Sequence, residues 1–194
     1  MRSLRYLLII ISILSCVSCS KDRISNGYQG FINVDGKRAV DIKIGYNDDI
    51  REFGLGNHNW CLFTEEQNVK ERLIDIYQQA AVISLSDSGE IVELELNVPG
   101  YGELYVCGRH DYHKGKFEKT GENTYKVSEA NYIERLENPK YNSSFLEGTL
   151  VFHKLVYNKK GSVLQLDMTL KLNREIRIVY DGDTPVVDNL GGRM

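Results

Sequence analysis

The sequence predicts a mainly β domain, a single antiparallel β-sandwich or partly open β-barrel with one inserted α-helix at about 65–79, and three observations carry that expectation. Apolar and polar residues alternate over long stretches: in "SVLQLDMTLKLN", Leu164, Leu166, Met168, Leu170 and Leu172 alternate with Gln165, Asp167, Thr169 and Lys171, the period of a strand with one buried face. The runs are punctuated by 17 glycines against 3 prolines, and 12 tyrosines enrich them, a composition suited to strands and tight turns. Only one stretch changes to the helical period.

The chain opens with Arg2 and Arg5, the apolar run "YLLIIISIL", and small residues at Ser15 and Ser18, each directly before a cysteine. A cationic start, a short apolar core and small residues at the end make a secretory signal. The run is shorter than the roughly 20 apolar residues a transmembrane helix needs. A cysteine after the small residue resembles the lipobox of bacterial lipoproteins, in which the peptidase cuts before a Cys whose thiol carries diacylglycerol. Cleavage before Cys19 gives a signal at 1–18 and leaves "CSKD" at the new N-terminus; cleavage before Cys16 gives 1–15. The lipid attachment site is therefore Cys19, with Cys16 as the alternative. Residues 19–27 are polar and aperiodic and read as a tether, and 28–190 as one β domain.

That domain opens with a hairpin. Val40, Ile42, Ile44 and Tyr46 alternate with polar residues, and Asp35-Gly36 separates the two runs, a two-residue hairpin turn. "YNDDIREFGLGNHN" reads as loop and "WCLF" as a short strand. In "TEEQNVKERLIDIYQQAA", Thr64 and Gln67 have capping-box spacing, Glu65 and Glu66 suit the positive end of a helix dipole, and Val69, Leu73, Ile76, Tyr77 and Ala80 share one stripe. "AVISL" and "IVELELNVP" flank the turn Asp87-Ser88-Gly89, with Glu93 and Glu95 expected on the solvent side. "ELYVCG", "GKFEK" and "NTYKVSE" add shorter strands. "FLEGTLVFHKLVY" and "SVLQLDMTLKLN" joined by "NKKG", then "REIRIVYDG", complete the sheet.

From 81 to 187 the strands and turns "SLSDSGEIVELELNVPG", "GELYVCG", "SSFLEGTLVFHKL", "GSVLQLDMTLKLN" and "IRIVYDGD" resemble those of small β-rich outer-membrane lipoproteins of Gram-negative gut anaerobes. In that class a strand ends in a Pro-containing turn, a G-T-V-x-V strand follows, and an aspartate-rich strand with a Tyr-x-Gly turn closes the domain. This chain departs after Val98, where Gly-Glu-Leu-Tyr replaces a Pro-Ala-Gly-type hairpin, and in the helical stretch, which looks like an insertion. The resemblance implies fold and an outer-membrane location, on either its periplasmic or cell-surface face. It offers no functional residues.

Charge narrows the partners. The chain has 24 Lys plus Arg against 27 Asp plus Glu; removing Arg2 and Arg5 leaves 22 against 27, a mature charge near −5. Such mild acidity argues against nucleic acid, whose binding relies on clustered basic side chains. Of the four cysteines, Cys61 and Cys107 stay in the domain, and an exported compartment permits a disulfide. Closing a loop of roughly 46 residues would contribute up to about 4 kcal/mol on the chain-entropy model; two buried thiols that never meet are the alternative.

No catalytic signature emerges. "CGRHDYH" holds Cys107, His110, Asp111 and His113, but on a strand His110 and His113 point to opposite faces, so a polar hairpin is the plainer account and no metal is assigned. Cys107 with His110 could be a thiol and base only in an open electropositive site. Glu93 and Glu95, about 7 Å apart on one strand face, have glycosidase-like spacing that solvent-facing alternation explains equally. Acidic turns "YNDDI" and "YDGDTP" lack the EF-hand spacing. Tyr101, Tyr105, Tyr112, Tyr125, Tyr132 and Tyr141 could present rings to a sugar, although strands favour tyrosine anyway. The expected protein is a lipid-anchored, non-catalytic binding or structural accessory without a cofactor, its lipid partner the membrane (a palmitate-type acyl chain) and its further ligand a glycan or protein. The alternative is a lipocalin-like carrier of a small apolar ligand, distinguished by an enclosed cavity.

Overall fold

The structure, a computed structural model, describes residues 23–48, 58–68, 75–106, 115–135, 141–158 and 160–187. Among these residues thirteen strands form one sheet: β1 (Gly30–Val34), β2 (Lys37–Ile42), β3 (Ile44–Asp48), β4 (His58–Phe63), β5 (Gln79–Leu85), β6 (Ile91–Val98), β7 (Gly102–Val106), β8 (Lys116–Lys119), β9 (Thr124–Arg135), β10 (Tyr141–Tyr157), β11 (Val163–Lys171), β12 (Glu175–Asp183) and β13 (Val186–Val187). The spatial order is β13-β3-β4-β5-β6-β7-β9-β10-β11-β12-β1-β2, with β8 beside β9. Neighbours from β3 to β12 follow chain order, the meander of consecutive antiparallel strands.

The sheet curls into a partly open barrel because its two ends belong to the same stretches of chain. β2 pairs with β1, and after Lys43 the chain continues as β3 and pairs with β4. β12 pairs with β11 and β1, and after Thr184 and Pro185 it continues as β13, parallel to β3. The β10–β11 turn bolts this junction. Gly161 has φ +64 and no room for a Cβ against Asn47, whose amide donates to the Lys160 carbonyl at 2.8 Å. The Gly161 carbonyl accepts the Trp60 indole N–H at 3.0 Å and the Thr184 hydroxyl.

Inside the curl lies one continuous apolar core. The alternation in β11 puts Leu164, Leu166, Met168 and Leu170 inward, opposite Ile176, Ile178 and Tyr180 of β12, with Trp60, Leu62, Leu94, Leu104, Val127 and Leu150 from the other strands. These side chains have 0–1 % of their surface exposed. Each buried Leu, Ile or Met contributes roughly 1.5–3 kcal/mol of apolar burial. The β1–β2 hairpin forms as predicted: Asp35 and Gly36 both take positive φ, 50° and 71°, as a type I′ turn requires.

The inserted helix is a correction. The described parts of that segment contain no α-helix: after β4 the chain bends at Thr64 and Glu65 and runs irregularly to a lone bridge at Asn68, and Ile76–Gln78 forms only a 3-10 turn before β5 begins at Gln79. Residues 69–74 lie outside the described ones. The polar groups read as a helix cap are used across the segment instead. The Thr64 hydroxyl donates to the Gln78 side-chain carbonyl at 2.6 Å, and the Gln67 side-chain carbonyl accepts the Asp75 N–H at 2.8 Å. Ala80 of the apolar stripe enters the core on β5, whereas Tyr77 is 76 % exposed. Local periodicity lost to strand pairing, which is a tertiary choice.

Residues 23–29 are hydrogen-bonded to β2 and to the residue that follows it. Arg38 donates from Nη2 to the Arg23 carbonyl at 2.7 Å, Lys43 from Nζ to the Gly27 carbonyl at 2.7 Å, and the Gln29 N–H to Ile42 at 2.8 Å. The chain from Arg23 onward is therefore laid along the barrel wall. The segment read as a secretory signal, with Cys16 and Cys19, lies outside the described residues.

Candidate functional site

The outer face of the barrel is where chemistry is accessible, and it differs from wall to wall. On the wall of β4, β5 and β6, Asn59, Ser84 and Glu93 stand opposite one another in one row. Their strand positions point outward, yet Ser84 and Glu93 are fully buried and Asn59 nearly so. The Ser84 hydroxyl donates to the Glu93 carboxylate at 2.6 Å. The expectation of a solvent-facing Glu93 is thus corrected. Glu95, two residues on, is only half-buried, so the two carboxylates occupy different environments and do not flank a common cleft. Ser84 has a hydroxyl held by a carboxylate, but at 0 % exposure no substrate reaches its oxygen.

The neighbouring outward residues Tyr46, Cys61, Phe63 and Val82 form a second, smaller apolar cluster. Cys61 is buried within it. Cys107 lies outside the described residues, as do His110, Asp111, Tyr112 and His113, so the Cys61–Cys107 pairing and the "CGRHDYH" cluster fall there too. Among the described residues no three His, Cys, Asp or Glu side chains converge. His58 packs against Trp60 and Tyr157 with ring centroids at 6.1 and 5.1 Å. His153 sits at a bulge in β10 and hydrogen-bonds through Nε2 to the Thr169 hydroxyl at 2.9 Å.

Three of the described tyrosines leave the outer face. Tyr101, Tyr125 and Tyr132 are buried. The Tyr101 and Tyr132 rings meet at a 46° tilt with centroids 4.9 Å apart, with the Tyr132 hydroxyl donating to the Tyr101 carbonyl and the Tyr101 hydroxyl to Asn173 at 3.1 Å. Tyr125 meets Phe152 edge-on at 6.0 Å. Burial raises the Tyr101 phenol well above its ordinary range, helped by the neighbouring Tyr132, and burial alone dominates the similar rise at Tyr180. Tyr180 works as a strut: it accepts the Gly45 N–H at 2.8 Å and donates to the Asp183 carbonyl at 2.9 Å. Tyr105 is half-buried and donates to Glu103 at 3.1 Å.

The wall of β10, β11 and β12 carries the open polar surface. One groove of about 460 Å³ is lined by Val151, His153, Thr169, Lys171, Glu175 and Arg177. Another, of about 440 Å³, lies between Arg23 and Ile24 of the docked segment and Lys154, Asp167, Val179 and Asp181. Arg177 grips Asp167 with two bonds of 3.0 Å, Lys171 meets Glu175 at 3.1 Å, and Gln165 donates to Asp181 at 3.0 Å. These cross-strand pairs hold donors and acceptors in fixed positions over a small apolar floor, geometry suited to binding a polar ligand by contact. The strand alternation predicts which residues point outward here; the His153 bulge and the docked Arg23 that turn the wall into grooves have no sequence signal.

Compared with family models, with curated proteins and with solved structures, the chain matches none. The described residues contain no helix long and apolar enough to cross a membrane.

Proposed function

We propose that this chain is a lipid-anchored lipoprotein of the outer membrane whose β domain acts as a non-catalytic binding or structural accessory. The N-terminal cationic, apolar and cysteine-terminated segment supports export and acylation, at Cys19 with Cys16 as the alternative. The observation that favours the accessory role over a carrier is the packing of the inner face among the described residues. Trp60, Leu62, Leu94, Leu104, Leu150, Met168 and Ile178 point into the barrel at 0 % exposure, whereas side chains lining a ligand cavity would keep surface toward it. Recognition of a glycan or a protein therefore falls to the outer surface of the barrel. The buried Tyr101, Tyr125 and Tyr132 move any sugar contact away from those rings.

Two measurements test the proposal. The N-terminal peptide of protein purified from its native envelope should carry a diacylglyceryl thioether mass; an unmodified peptide overturns the lipoprotein assignment. Organic extraction of the purified protein should release no stoichiometric lipid beyond the covalent anchor, and a fluorescent fatty acid should show no saturable binding. Saturable one-to-one binding would instead make the protein an apolar-ligand carrier.

A further inference from the structure

We propose that the outer wall formed by β11, β12 and the docked stretch from Arg23 to Gln29 faces the membrane, held against the lipid headgroup layer by a leash too short for the domain to swing away. The inference rests on acylation of Cys19 and adds an orientation to it.

The leash length follows from covalent geometry. From Cys19 to Arg23 a fully extended chain spans at most about 14 Å. Arg23 is not a free end: its carbonyl is held by Arg38, the Ser25 hydroxyl reaches Asp41 at 3.4 Å, and the Gly27 carbonyl is held by Lys43. The Lys43 ammonium also lies 5.4 Å from the Tyr28 ring centroid. Arg23 and Ile24 form one side of the groove whose other side is Lys154, Asp167, Val179 and Asp181. An acylated cysteine keeps its glycerol at headgroup level, so this groove lies within one short leash of that layer. Val156, two residues beyond Lys154 on β10, is an apolar side chain left 51 % exposed, and Tyr28 on the docked stretch is 40 % exposed; both suit the amphipathic headgroup region better than bulk water. β5, β6 and β7, on the far side of the barrel order, then point away from the bilayer.

Brief lysine acetylation read by mass spectrometry tests this on the full-length lipidated protein in nanodiscs of phosphatidylethanolamine and phosphatidylglycerol. Lys154 lines the membrane-facing groove, and exposed Lys116 on β8 lies beyond β9 and β10 from that wall. Lys154 acetylation should fall at least five-fold relative to the soluble Cys19→Ser protein, with Lys116 unchanged. The protection should persist at 1 M salt, because a covalent leash is not screened as charge attraction is. Inserting ten Gly and Ser residues between Lys21 and Asp22 should restore Lys154 reactivity while the acyl mass remains. Equal Lys154 reactivity in acylated and soluble protein, or protection that survives the insertion, overturns the leashed orientation and leaves the lipoprotein assignment standing. Absence of the acyl mass overturns both.

Discussion

Two walls of the same sheet show how differently a strand can be used. On the β10 to β12 wall the inner face is apolar and the outer face polar, so Leu164, Leu166 and Met168 are buried while Lys154, Lys171 and Glu175 meet solvent. On the β4 and β5 wall both faces are buried: Trp60, Leu62 and Ile83 inside, and Cys61, Phe63, Val82 and Ser84 outside. The difference is written in the near-continuous runs "NWCLF" and "AVISL" against the strict alternation of "SVLQLDMTLKLN", since a strand buried on both faces has no reason to alternate. The lesson is that the doubly buried wall should tolerate change least, and on either of its faces.

The largest effect should come from Trp60→Ala. It removes a fully buried ring, its packing on Tyr157 at 5.3 Å, and the indole bond to Gly161 that bolts the barrel junction. Urea unfolding should show a loss of about 3–5 kcal/mol, while Val156→Ala on the open wall should stay within about 0.5 kcal/mol. Similar losses at the two positions would break the contrast between the walls.

Next comes the outward but buried polar row. Ser84→Ala leaves the Glu93 carboxylate without its 2.6 Å hydroxyl donor in a dry site and should cost about 1–3 kcal/mol. Gln165→Ala, which breaks an exposed bond to Asp181 on the other wall, should change stability by less than about 0.5 kcal/mol. A neutral Ser84→Ala would mean that water reaches this row and that the wall is open on its outer side.

Alkaline titration sharpens the contrast between interior and exterior. Burial holds the phenols of Tyr101 and Tyr180 above their ordinary range, so the unfolded chain ionises them near pH 10 while the native one keeps the protons. The folded state then binds more protons than the unfolded one. Stability should be full below about pH 10 and fall as pH rises beyond it. Ultraviolet difference absorbance should register these phenolates only together with unfolding; early ionisation of the full tyrosine complement in native protein would contradict the burial of both rings.

The smallest effect belongs to the open wall's best ion pair. Arg177 and Asp167 form a two-bonded fork with side chains 33 % and 23 % exposed. A double-mutant cycle with Arg177→Ala and Asp167→Ala should return a coupling of about 0.5–1 kcal/mol. A coupling near 3 kcal/mol would mean that the pair is shielded from water as the Ser84–Glu93 pair is.

The sequence by itself determined the fold class, the main hairpins and the inward set of each regular strand. Period-two spacing in "SVLQLDMTLKLN" and positive-φ turn residues at Asp35-Gly36 act locally, and the sheet obeyed both. The cationic, apolar and cysteine-bearing N-terminal pattern is equally local, and the proposed acylation rests on it alone. Only the tertiary structure decided the rest. Thr64, Gln67 and the apolar stripe after them met every local condition for a helix start, yet Thr64 and Gln67 bond to Gln78 and Asp75 across the segment, because strand pairing at Gln79 outweighs the weak preference of an isolated helix. Glu93 alternates as a solvent-facing residue should and is nonetheless buried, since what covers an outer face is set by distant parts of the chain. The docked course of Arg23 to Gln29 rests on Arg38 and Lys43 from other strands. Contacts between residues far apart in sequence leave no periodic trace in it, and those contacts placed the grooves, the buried row and the packed tyrosines.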